Sequence, residues 1–288
     1  MTDFAAEHSK LITDSRLFLS AFFPDRNGAG MIGGKNMTIK EKLKAGQKVY
    51  GTMIRVVRNP AICWLAKNAG LDFIMFDCEH APFTLETLHD CFAAAHALDL
   101  DGYLRASELS KSWISRALDA GAGGVMVPMT ETPDQAKEIV KWSKYAPIGE
   151  RGYGSNSMAT NYIKGSSSAE VMKGLNDKTV SIAQIETKLA VDNADAIAAV
   201  EGIDVLLIGP NDLSISLGVP GDLMNPIEIE AISHVAAMCK KNGKGFGIHA
   251  GPKMLQRFAE ELTFVMCSCD TDVLTAGFEG IKKTCEEL

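Results

Sequence analysis

The sequence lacks the features that mark membrane, exported and nucleic-acid-binding proteins. No apolar run reaches the roughly 18 residues of a membrane span, so none is predicted. The apolar stretch at residues 17–23 is short and precedes Pro24, Asp25 and Arg26, so we predict no signal peptide and expect a cytoplasmic protein. Positive charge is not in excess either, because 29 basic residues stand against 36 acidic ones and give a net charge of −7. Proteins that bind phosphate backbones need the opposite balance, so nucleic acid is not an expected partner.

Motifs for zinc ribbons, redox dithiols and nucleotides are also absent. The seven cysteines are odd in number and include no C-x-x-C pair, so we expect reduced thiols that lie in the core. Cys267 and Cys269 share one face of a predicted strand and could hold a metal, but we favour small buried hydrophobes. No P-loop is present, and no G-x-G-x-x-G motif opens a helix after the first predicted strand. Nucleotide binding is therefore not predicted.

Short apolar runs and helical segments alternate eight times along the chain. The runs are nearly continuous in apolar character, as expected of strands buried on both faces of a parallel sheet. The predicted strands cover residues 49–57, 72–76, 102–105, 124–128, 180–185, 205–208, 245–248 and 264–267. The predicted helices cover residues 59–68, 85–98, 111–119, 133–144, 188–200, 226–241, 252–261 and 273–287. This alternation predicts an α/β fold, a single (β/α)₈ TIM barrel over residues 38–288, close to the roughly 250 residues typical of that fold.

Two segments do not fit the repeat. Residues 1–37 show little periodicity and contain four glycines near their end, so we interpret them as an N-terminal extension outside the barrel domain. A polar segment rich in Gly and Ser, residues 149–178, separates the fourth and fifth strands. An insertion of that length often covers a site.

Polar side chains recur at the carboxyl ends of several predicted strands, and these ends meet at one rim of a parallel barrel. They follow strands two, three, five and six, and they are Asp77, Glu79, His80, Arg105, Gln184, Glu186, Asn211 and Asp212. A single polar residue at such a place is most often a structural cap. Convergence from four strands predicts an active site at this rim.

Two carboxylates in this set, Glu186 and Asp212, are the best candidates for metal ligands. Hard divalent ions favour oxygen ligands, and two protein carboxylates leave room for water and substrate. The alternative is structural: Asp212 would cap the helix that follows it, and Glu186 would bind a neighbouring helix terminus. Backbone N–H groups after Gly209 could hold a carboxylate or phosphate, although Pro210-Asn211-Asp212 also suits a plain turn.

The remaining candidates are a base and a cation. His80 lies three residues after Asp77, close enough for that carboxylate to orient the imidazole as a general base requires, although a buried hydrogen-bonded histidine is the alternative. His249, at the end of the seventh strand, is a supporting candidate. Arg105 would be costly to bury without an anion, which is either an anionic substrate or a structural partner, Asp77 or Glu79.

Several of these residues belong to multi-residue motifs that resemble the HpcH/HpaI family of metal-dependent class II pyruvate aldolases. The motifs occur in order over residues 38–288, and they are Asp77-Cys78-Glu79-His80-Ala81-Pro82, Arg105, Val127-Pro128-Met129, Gly149-Glu150-Arg151-Gly152, Gln184-Ile185-Glu186-Thr187 and Ile208-Gly209-Pro210-Asn211-Asp212-Leu213. The resemblance implies cleavage of a 4-hydroxy-2-oxo acid to pyruvate and an aldehyde through a metal-stabilised enolate. The implied cofactor is Mg²⁺, Mn²⁺ or Co²⁺.

The resemblance also implies a role for each site residue. Glu186 and Asp212 would bind the metal, His80 with Asp77 would be the acid/base, and Arg105 would stabilise the enolate oxygen. Gln184 and the backbone amides of Asn211 and Asp212 would lie by the substrate carboxylate, and Asp119 would reach a neighbouring subunit's site. The family forms hexamers, trimers of dimers that exchange the last helix, so we expect a homo-oligomer whose partners are a 2-oxo acid and an aldehyde.

This chain departs from the family pattern at a few positions. Cys78 stands where Gly is common and Ala106 where Pro or Val is common. Arg55 stands near the mouth of the first strand, where many members have a small residue, and it could bind a second anionic group of the substrate or pair with Glu79. Two other functions stay open: a related lyase, decarboxylase or synthase that uses another enolate, such as a citrate-synthase-like or acyl-CoA enzyme, and a non-catalytic barrel that binds an oxo acid.

Overall fold

Eight parallel strands close into a barrel in the computed structural model, which describes residues 37–163 and 167–288. Each strand pairs with the next along the chain, and the last pairs with the first. The strands are β1 (Val49–Ile54), β2 (Phe73–Asp77), β3 (Asp101–Arg105), β4 (Gly124–Val127), β5 (Val180–Ile185), β6 (Val205–Ile208), β7 (Gly245–Ala250) and β8 (Phe264–Cys269). The predicted (β/α)₈ barrel is confirmed. The predicted extension over residues 1–37 lies outside the described residues except for Met37.

Helices follow the strands and surround the barrel. They are α1 (Ile39–Lys44), α2 (Ile62–Asn68), α3 (Leu85–Ala97), α4 (Lys111–Asp119), α5 (Pro133–Ser143), α6 (Ser168–Lys178), α7 (Lys188–Asp192), α8 (Ala194–Ala198), α9 (Pro210–Ser216), α10 (Pro226–Lys241), α11 (Pro252–Arg257) and α12 (Asp270–Glu286). Six of them begin after a Ser or Thr whose hydroxyl accepts a hydrogen bond from a backbone N–H of the first turn. In the part of the chain that the structure describes, no helix is long and apolar enough to cross a lipid bilayer.

The helices differ from the sequence-based prediction in three places. The single helix expected over residues 188–200 is two short helices that meet at Asn193, whose side chain donates to the carbonyl oxygen of Glu131. The segment interpreted as a polar insertion, residues 149–178, ends in α6, a mostly polar helix. Helices α1 and α9 are short and were not predicted, because one turn or two carries too weak a pattern.

The barrel interior is filled by large apolar side chains at its amino-terminal end and middle. The ring of Phe73 stacks on that of Phe264, with 4.3 Å between centroids, and Tyr103 packs beside both. Gly51 is required here, because a Cβ on it would lie 2.4 Å from the Phe73 ring. A second core lies between strands and helices. All seven cysteines are free, and five of them are buried.

The alternation of side chains along the strands places the polar residues above this interior core. Residues two apart in a strand point the same way, so a polar residue two positions after an interior apolar one also faces inward. The inward pairs are Met53 and Arg55, Met75 and Asp77, Tyr103 and Arg105, and Ile182 and Gln184. The barrel therefore ends, at the carboxyl side of its strands, in a layer of charged and polar side chains.

Candidate active site

A buried ion-pair cluster joins the ends of β2 and β3. Asp77 and Arg105 are direct neighbours in the register of these strands. The Arg105 guanidinium donates from Nε to Asp77 Oδ1 at 2.9 Å and from Nη2 to Oδ2 at 2.6 Å, and its Nη1 lies 2.8 Å from Glu79 Oε2. Burial alone would raise the pKa of Asp77, but these hydrogen bonds and the charge of Arg105 hold it below its ordinary value. Both partners proposed for Arg105 from the sequence are thus present.

Arg105 still has capacity for a ligand. A guanidinium carries five N–H groups; two donate to Asp77 and Nη1 lies beside Glu79, so at least two have no acceptor among the described residues. Its backbone ends a strand and its side chain is almost fully buried. These constraints fix its orientation, and the available N–H groups can donate to an oxyanion without further reorganisation.

His80 is placed differently from the expectation. The carboxylate of Asp77 accepts from the backbone N–H of His80 at 3.2 Å and from that of Glu79 at 3.0 Å, so it holds the loop and not the imidazole. The ring is 56% exposed, and its Nε2 lies 3.9 Å from Glu79 Oε2. The histidine is therefore neither buried nor held by a structural hydrogen bond, and it is open to a substrate at the rim.

Glu186 is a buried carboxylate directly after β5. Its Oε1 accepts from the backbone N–H of Met129 at 2.7 Å, and its Oε2 accepts from Gln184 Nε2. Met129 has a positive φ of 50°, a conformation that non-glycine residues seldom adopt, and this turns its N–H toward Glu186. A Cβ on Gly209 would lie 2.5 Å from Glu186 Oε2, so only glycine fits at the end of β6. Among the described residues no N–H group of a helix terminus donates to Glu186, although the structural alternative required such a bond.

Asn211 and Asp212 lie in the first turn of α9, which follows Gly209. Gly209 is the N-terminal cap residue of that helix, so Asp212 is not a capping residue. Both Asn211 and Asp212 are exposed, and the charge of Asp212 acts on Glu186 and Glu79. The structure therefore brings Asp212 to the same side of the rim as Glu186, beside first-turn N–H groups that have no acceptor within the helix.

The donors around Glu186 fit a hard divalent cation. Burial is the main cause that raises the pKa of Glu186 to about 7, and repulsion from the carboxylates of Glu79 and Asp212 adds to it. Gln184 Oε1 is buried and has no hydrogen-bond partner among the described residues. Within residues 37–163 and 167–288, no group of three or more His, Cys, Asp and Glu side chains is arranged to hold a metal. Glu186 and Asp212 would therefore leave positions for water and substrate.

Arg55 and His249 lie on the other side of the same layer. Arg55 donates from Nε to Asp77 Oδ2 at 3.0 Å, so its partner is Asp77, whereas Glu79 pairs with Arg105. His249 Nε2 donates to the carbonyl oxygen of Ser268 at 2.9 Å. Burial, and then the charges of Arg105 and Arg55, lower the pKa of His249, so this histidine is a neutral group.

One residue at the rim was not singled out from the sequence. Asp270, directly after β8, accepts from the backbone N–H groups of Arg55, Val56 and Val57 at 2.8 to 2.9 Å. It is buried and fixes the loop after β1. The rule that selected the other candidates, a polar residue just after a strand, applies equally to Asp270 and would have found it.

Asp119 lies apart from this layer in its own chain. It ends α4, a helix that runs back from the rim, and its Oδ1 accepts from Arg151 Nη2 at 2.6 Å. Arg151 is buried and stacks over the ring of Tyr145. Asp119 therefore does not reach the rim of the barrel to which it belongs.

Comparison with known proteins places this chain among enzymes of one kind. The model of the HpcH/HpaI aldolase/citrate lyase family matches residues 55–273. A 2-keto-3-deoxy-L-rhamnonate aldolase of Escherichia coli O157:H7 is 34% identical over 234 residues, which are 81% of this chain and 86% of the relative.

Solved structures agree with this comparison. An HpcH/HpaI aldolase from Desulfitobacterium hafniense DCB-2 has a TM-score of 0.83 and 33% identity over 88% of this chain and 98% of that one. A protein of the HpcH/HpaI aldolase/citrate lyase family from Burkholderia cenocepacia J2315 has a TM-score of 0.77 and 28% identity over 85% of this chain and 98% of that one.

Proposed function

Since this chain belongs to the HpcH/HpaI aldolase/citrate lyase family and is a carbon–carbon lyase of the aldolase kind, we propose that it splits 4-hydroxy-2-oxo acids into pyruvate and an aldehyde. One observation carries this proposal: an all-oxygen acidic group, a buried arginine with available N–H groups and an exposed histidine lie in one layer at the rim. Retro-aldol cleavage needs these three functions. They are a site for the 2-oxo acid, stabilisation of an enolate oxygen, and a base for a hydroxyl proton.

The acidic group is the proposed metal site. A divalent cation such as Mg²⁺, Mn²⁺ or Co²⁺, held by the carboxylates of Glu186 and Asp212, would supply Lewis-acid stabilisation for the charge that develops on the 2-oxo oxygen. Met129 and Gln184 hold the Glu186 carboxylate in place through their N–H groups. Gln184 also lies beside the substrate carboxylate in this proposal, and the N–H groups of Asn211 and Asp212 donate to that carboxylate.

The other residues carry the cleavage. Arg105 donates its available N–H groups to the 2-oxo oxygen and stabilises the negative charge of the enolate. His80 removes the proton of the C4 hydroxyl, the C3–C4 bond breaks, and the electron pair passes to C3 as the aldehyde departs. Protonation of C3 then gives pyruvate. Asp77 positions this machinery, because it binds Arg105 by its carboxylate and His80 by the backbone.

A Schiff-base mechanism would need a reactive lysine at the rim. Lys144, the buried lysine among the described residues, does not lie there. Burial lowers the pKa of Lys144 to about 7, a property typical of imine-forming lysines. However, its Nζ binds Asp204 at 3.2 Å and the carbonyl oxygen of Thr179, which precede β6 and β5. Lys144 thus lies at the amino-terminal end of the barrel, where buried polar groups serve stability.

The C-terminal helix supports the proposed homo-oligomer. Helix α12 exposes Val273, Leu274, Phe278 and Ile281, which are each at least 41% exposed. Exposed apolar residues at this spacing on a helix are typical of a protein interface. We propose a hexamer built as a trimer of dimers, in which Asp119 reaches the site of a neighbouring subunit. Sedimentation velocity measures the oligomeric state. A monomer would contradict this proposal.

The proposed activity is tested by pyruvate release from a panel of 4-hydroxy-2-oxo acids that differ only beyond C4. We expect release of pyruvate and the matching aldehyde in equal amounts, because cleavage of C3–C4 yields one of each. A lactate dehydrogenase assay measures the pyruvate, and derivatisation identifies the aldehyde. Absence of pyruvate from every member of the panel, in protein that is folded and supplied with a divalent metal, would contradict the proposal.

A further inference from the structure

Arg55 is a fixed cation at the rim that the reaction described above does not use. Its backbone N–H donates to the buried carboxylate of Asp270, as do those of the next two residues, so the end of β1 is anchored. Its side chain is held at Nε by Asp77. A guanidinium fixed at both its backbone and its Nε loses little entropy on binding a ligand.

The outer part of this guanidinium is open. The Arg55 side chain is 35% exposed, and among the described residues neither Nη1 nor Nη2 has a hydrogen-bond partner. These two nitrogens form the forked edge that binds a carboxylate with two parallel hydrogen bonds. The position therefore has the geometry of a carboxylate site whose ligand comes from the solvent side of the barrel.

The neighbouring charges do not neutralise this edge. Asp77 is shared between Arg55 and Arg105, and His249 is kept neutral by burial and by the two arginines. Asp272 acts on Arg55 at a distance, but its carboxylate accepts from Ser268 Oγ at 3.2 Å and Cys269 Sγ at 3.1 Å. The Arg55 guanidinium thus shares Asp77 with Arg105, while the Asp270 carboxylate binds the backbone of Arg55.

We propose that Arg55 binds a carboxylate attached directly to the carbonyl carbon of the acceptor, so that the preferred acceptors are short 2-oxo acids of the glyoxylate type. This inference rests on the proposed aldolase function and names its acceptor class. Arg55 and Arg105 donate to the same oxygen, Asp77 Oδ2, so the two guanidiniums lie side by side. An acceptor that meets the enolate at Arg105 therefore brings a carboxylate on its carbonyl carbon next to Arg55.

In the synthetic direction, C3 of the pyruvate enolate attacks the aldehyde carbon of glyoxylate and forms the new carbon–carbon bond. The carbonyl π bond breaks, and its electron pair moves to the aldehyde oxygen, which takes the proton held by His80 and becomes the C4 hydroxyl. Pyruvate lost one methyl proton when it formed the enolate, so the proton gained by the C4 hydroxyl leaves the overall proton count unchanged. The product is a five-carbon 4-hydroxy-2-oxo dicarboxylate, and no oxidant or reductant is needed.

The test compares glyoxylate with glycolaldehyde, an acceptor of the same length that has a hydroxymethyl group in place of the carboxylate. The wild-type protein should show the higher kcat/KM with glyoxylate. Arg55→Ala should lower kcat/KM for glyoxylate by about 10- to 100-fold, the value of one or two charge-assisted hydrogen bonds. The loss for glycolaldehyde should be several-fold smaller than the loss for glyoxylate, because the neutral acceptor has no charge to pair.

Two further variants make the comparison specific. Arg58→Ala removes the same charge from an exposed arginine in the same loop, and we expect it to leave the ratio of the two acceptors unchanged. Arg55→Lys keeps the charge without the fork, and it should recover part of the glyoxylate activity. Equal losses with both acceptors for Arg55→Ala would overturn the inference, because they would show that Arg55 acts only through Asp77.

Exchange of the pyruvate methyl protons in D₂O separates this inference from the proposed function. Exchange reports the enolate and needs no acceptor, so Arg55→Ala should lose much less of its exchange rate than of its kcat/KM for glyoxylate. If the wild-type protein exchanges the methyl protons but prefers glycolaldehyde or succinic semialdehyde to glyoxylate, the acceptor assignment is wrong. The proposed aldolase function would then still stand. A wild-type protein that shows neither exchange nor condensation would contradict the aldolase function, and the acceptor assignment with it.

Discussion

Glu186→Gln should abolish metal binding and lower pyruvate release by on the order of 10³-fold or more, because Lewis-acid stabilisation is worth several kcal/mol and each 1.36 kcal/mol is tenfold in rate. The substitution keeps the size of the side chain and removes its charge. Isothermal titration with Mn²⁺ measures the binding, and coupled detection of pyruvate measures the rate. Glu150→Gln, which changes an exposed glutamate elsewhere, is the matched control and should bind metal normally.

The same variant should be at least as stable as the wild-type protein without metal. Burial and the nearby carboxylates raise the pKa of Glu186 to about 7, above its ordinary value of 4.5, so the folded state binds this proton more tightly than the unfolded state does. The ionised carboxylate therefore destabilises the fold progressively as pH rises from about 4.5 through 7. Thermal melts at pH 8 should show an unchanged or higher Tm for Glu186→Gln. A markedly lower Tm would instead indicate a structural role.

His80→Ala should lower aldol cleavage by roughly 10²- to 10⁴-fold, the range typical of the loss of a general base. Decarboxylation of oxaloacetate should be largely retained. Carbon dioxide departs without abstraction of a hydroxyl proton, so that reaction depends on enolate stabilisation by Arg105 and the metal site and not on His80. Stopped assays of pyruvate from both substrates, on one preparation, measure the two effects together.

The control for His80 is another histidine of the chain. His89 lies in α3, where its Nε2 is 2.6 Å from the hydroxyl of Tyr162, and His89→Ala should leave both reactions unchanged. Similar losses of cleavage and decarboxylation in His80→Ala, at unchanged metal content, would mean that His80 supports the enolate site and is not the base. Glu186→Gln, by comparison, should lose both activities.

The fold could be predicted because the apolar runs themselves carry the information. Strands such as Val205–Ile208 are buried on both faces and read as continuous apolar runs, while helices such as Pro226–Lys241 carry a clear helical period. Helices α9 and α6 were not predicted, because their sequences carry no such clear pattern. Helix α9 has only seven residues, and α6 is a mostly polar helix within a segment rich in Gly and Ser, so neither was distinguished from its surroundings.

The positions of the site residues were predictable, but their pairings were not. The end of a parallel strand is a place that the sequence alone identifies, and this rule located Asp77, Arg105 and Glu186. Which arginine meets which carboxylate depends on the stagger of neighbouring strands, and Asp77 lies in register with Arg105. For this reason the sequence allowed an ion pair between Arg55 and Glu79, whereas in the structure Arg55 binds Asp77.

The orientation of the His80 side chain could not be predicted from the sequence either. A spacing of three residues from Asp77 is compatible with contact by the ring or by the backbone, and the loop after β2 turns so that the backbone N–H makes the contact. The exposed ring that results is better suited to a substrate than a buried one, because it keeps both nitrogens near solvent.

Exchange of the pyruvate methyl protons in D₂O, followed by proton NMR on metal-stripped and metal-restored protein, decides whether this barrel forms an enolate at a metal site. Exchange should be absent after chelation, should return with Mg²⁺, Mn²⁺ or Co²⁺, and should leave no protein adduct when borohydride is added. Exchange at the full rate in the metal-stripped protein, or a borohydride-trapped adduct of pyruvate on a lysine, would contradict the assignment of Glu186 and Asp212 as metal ligands and the mechanism built on them.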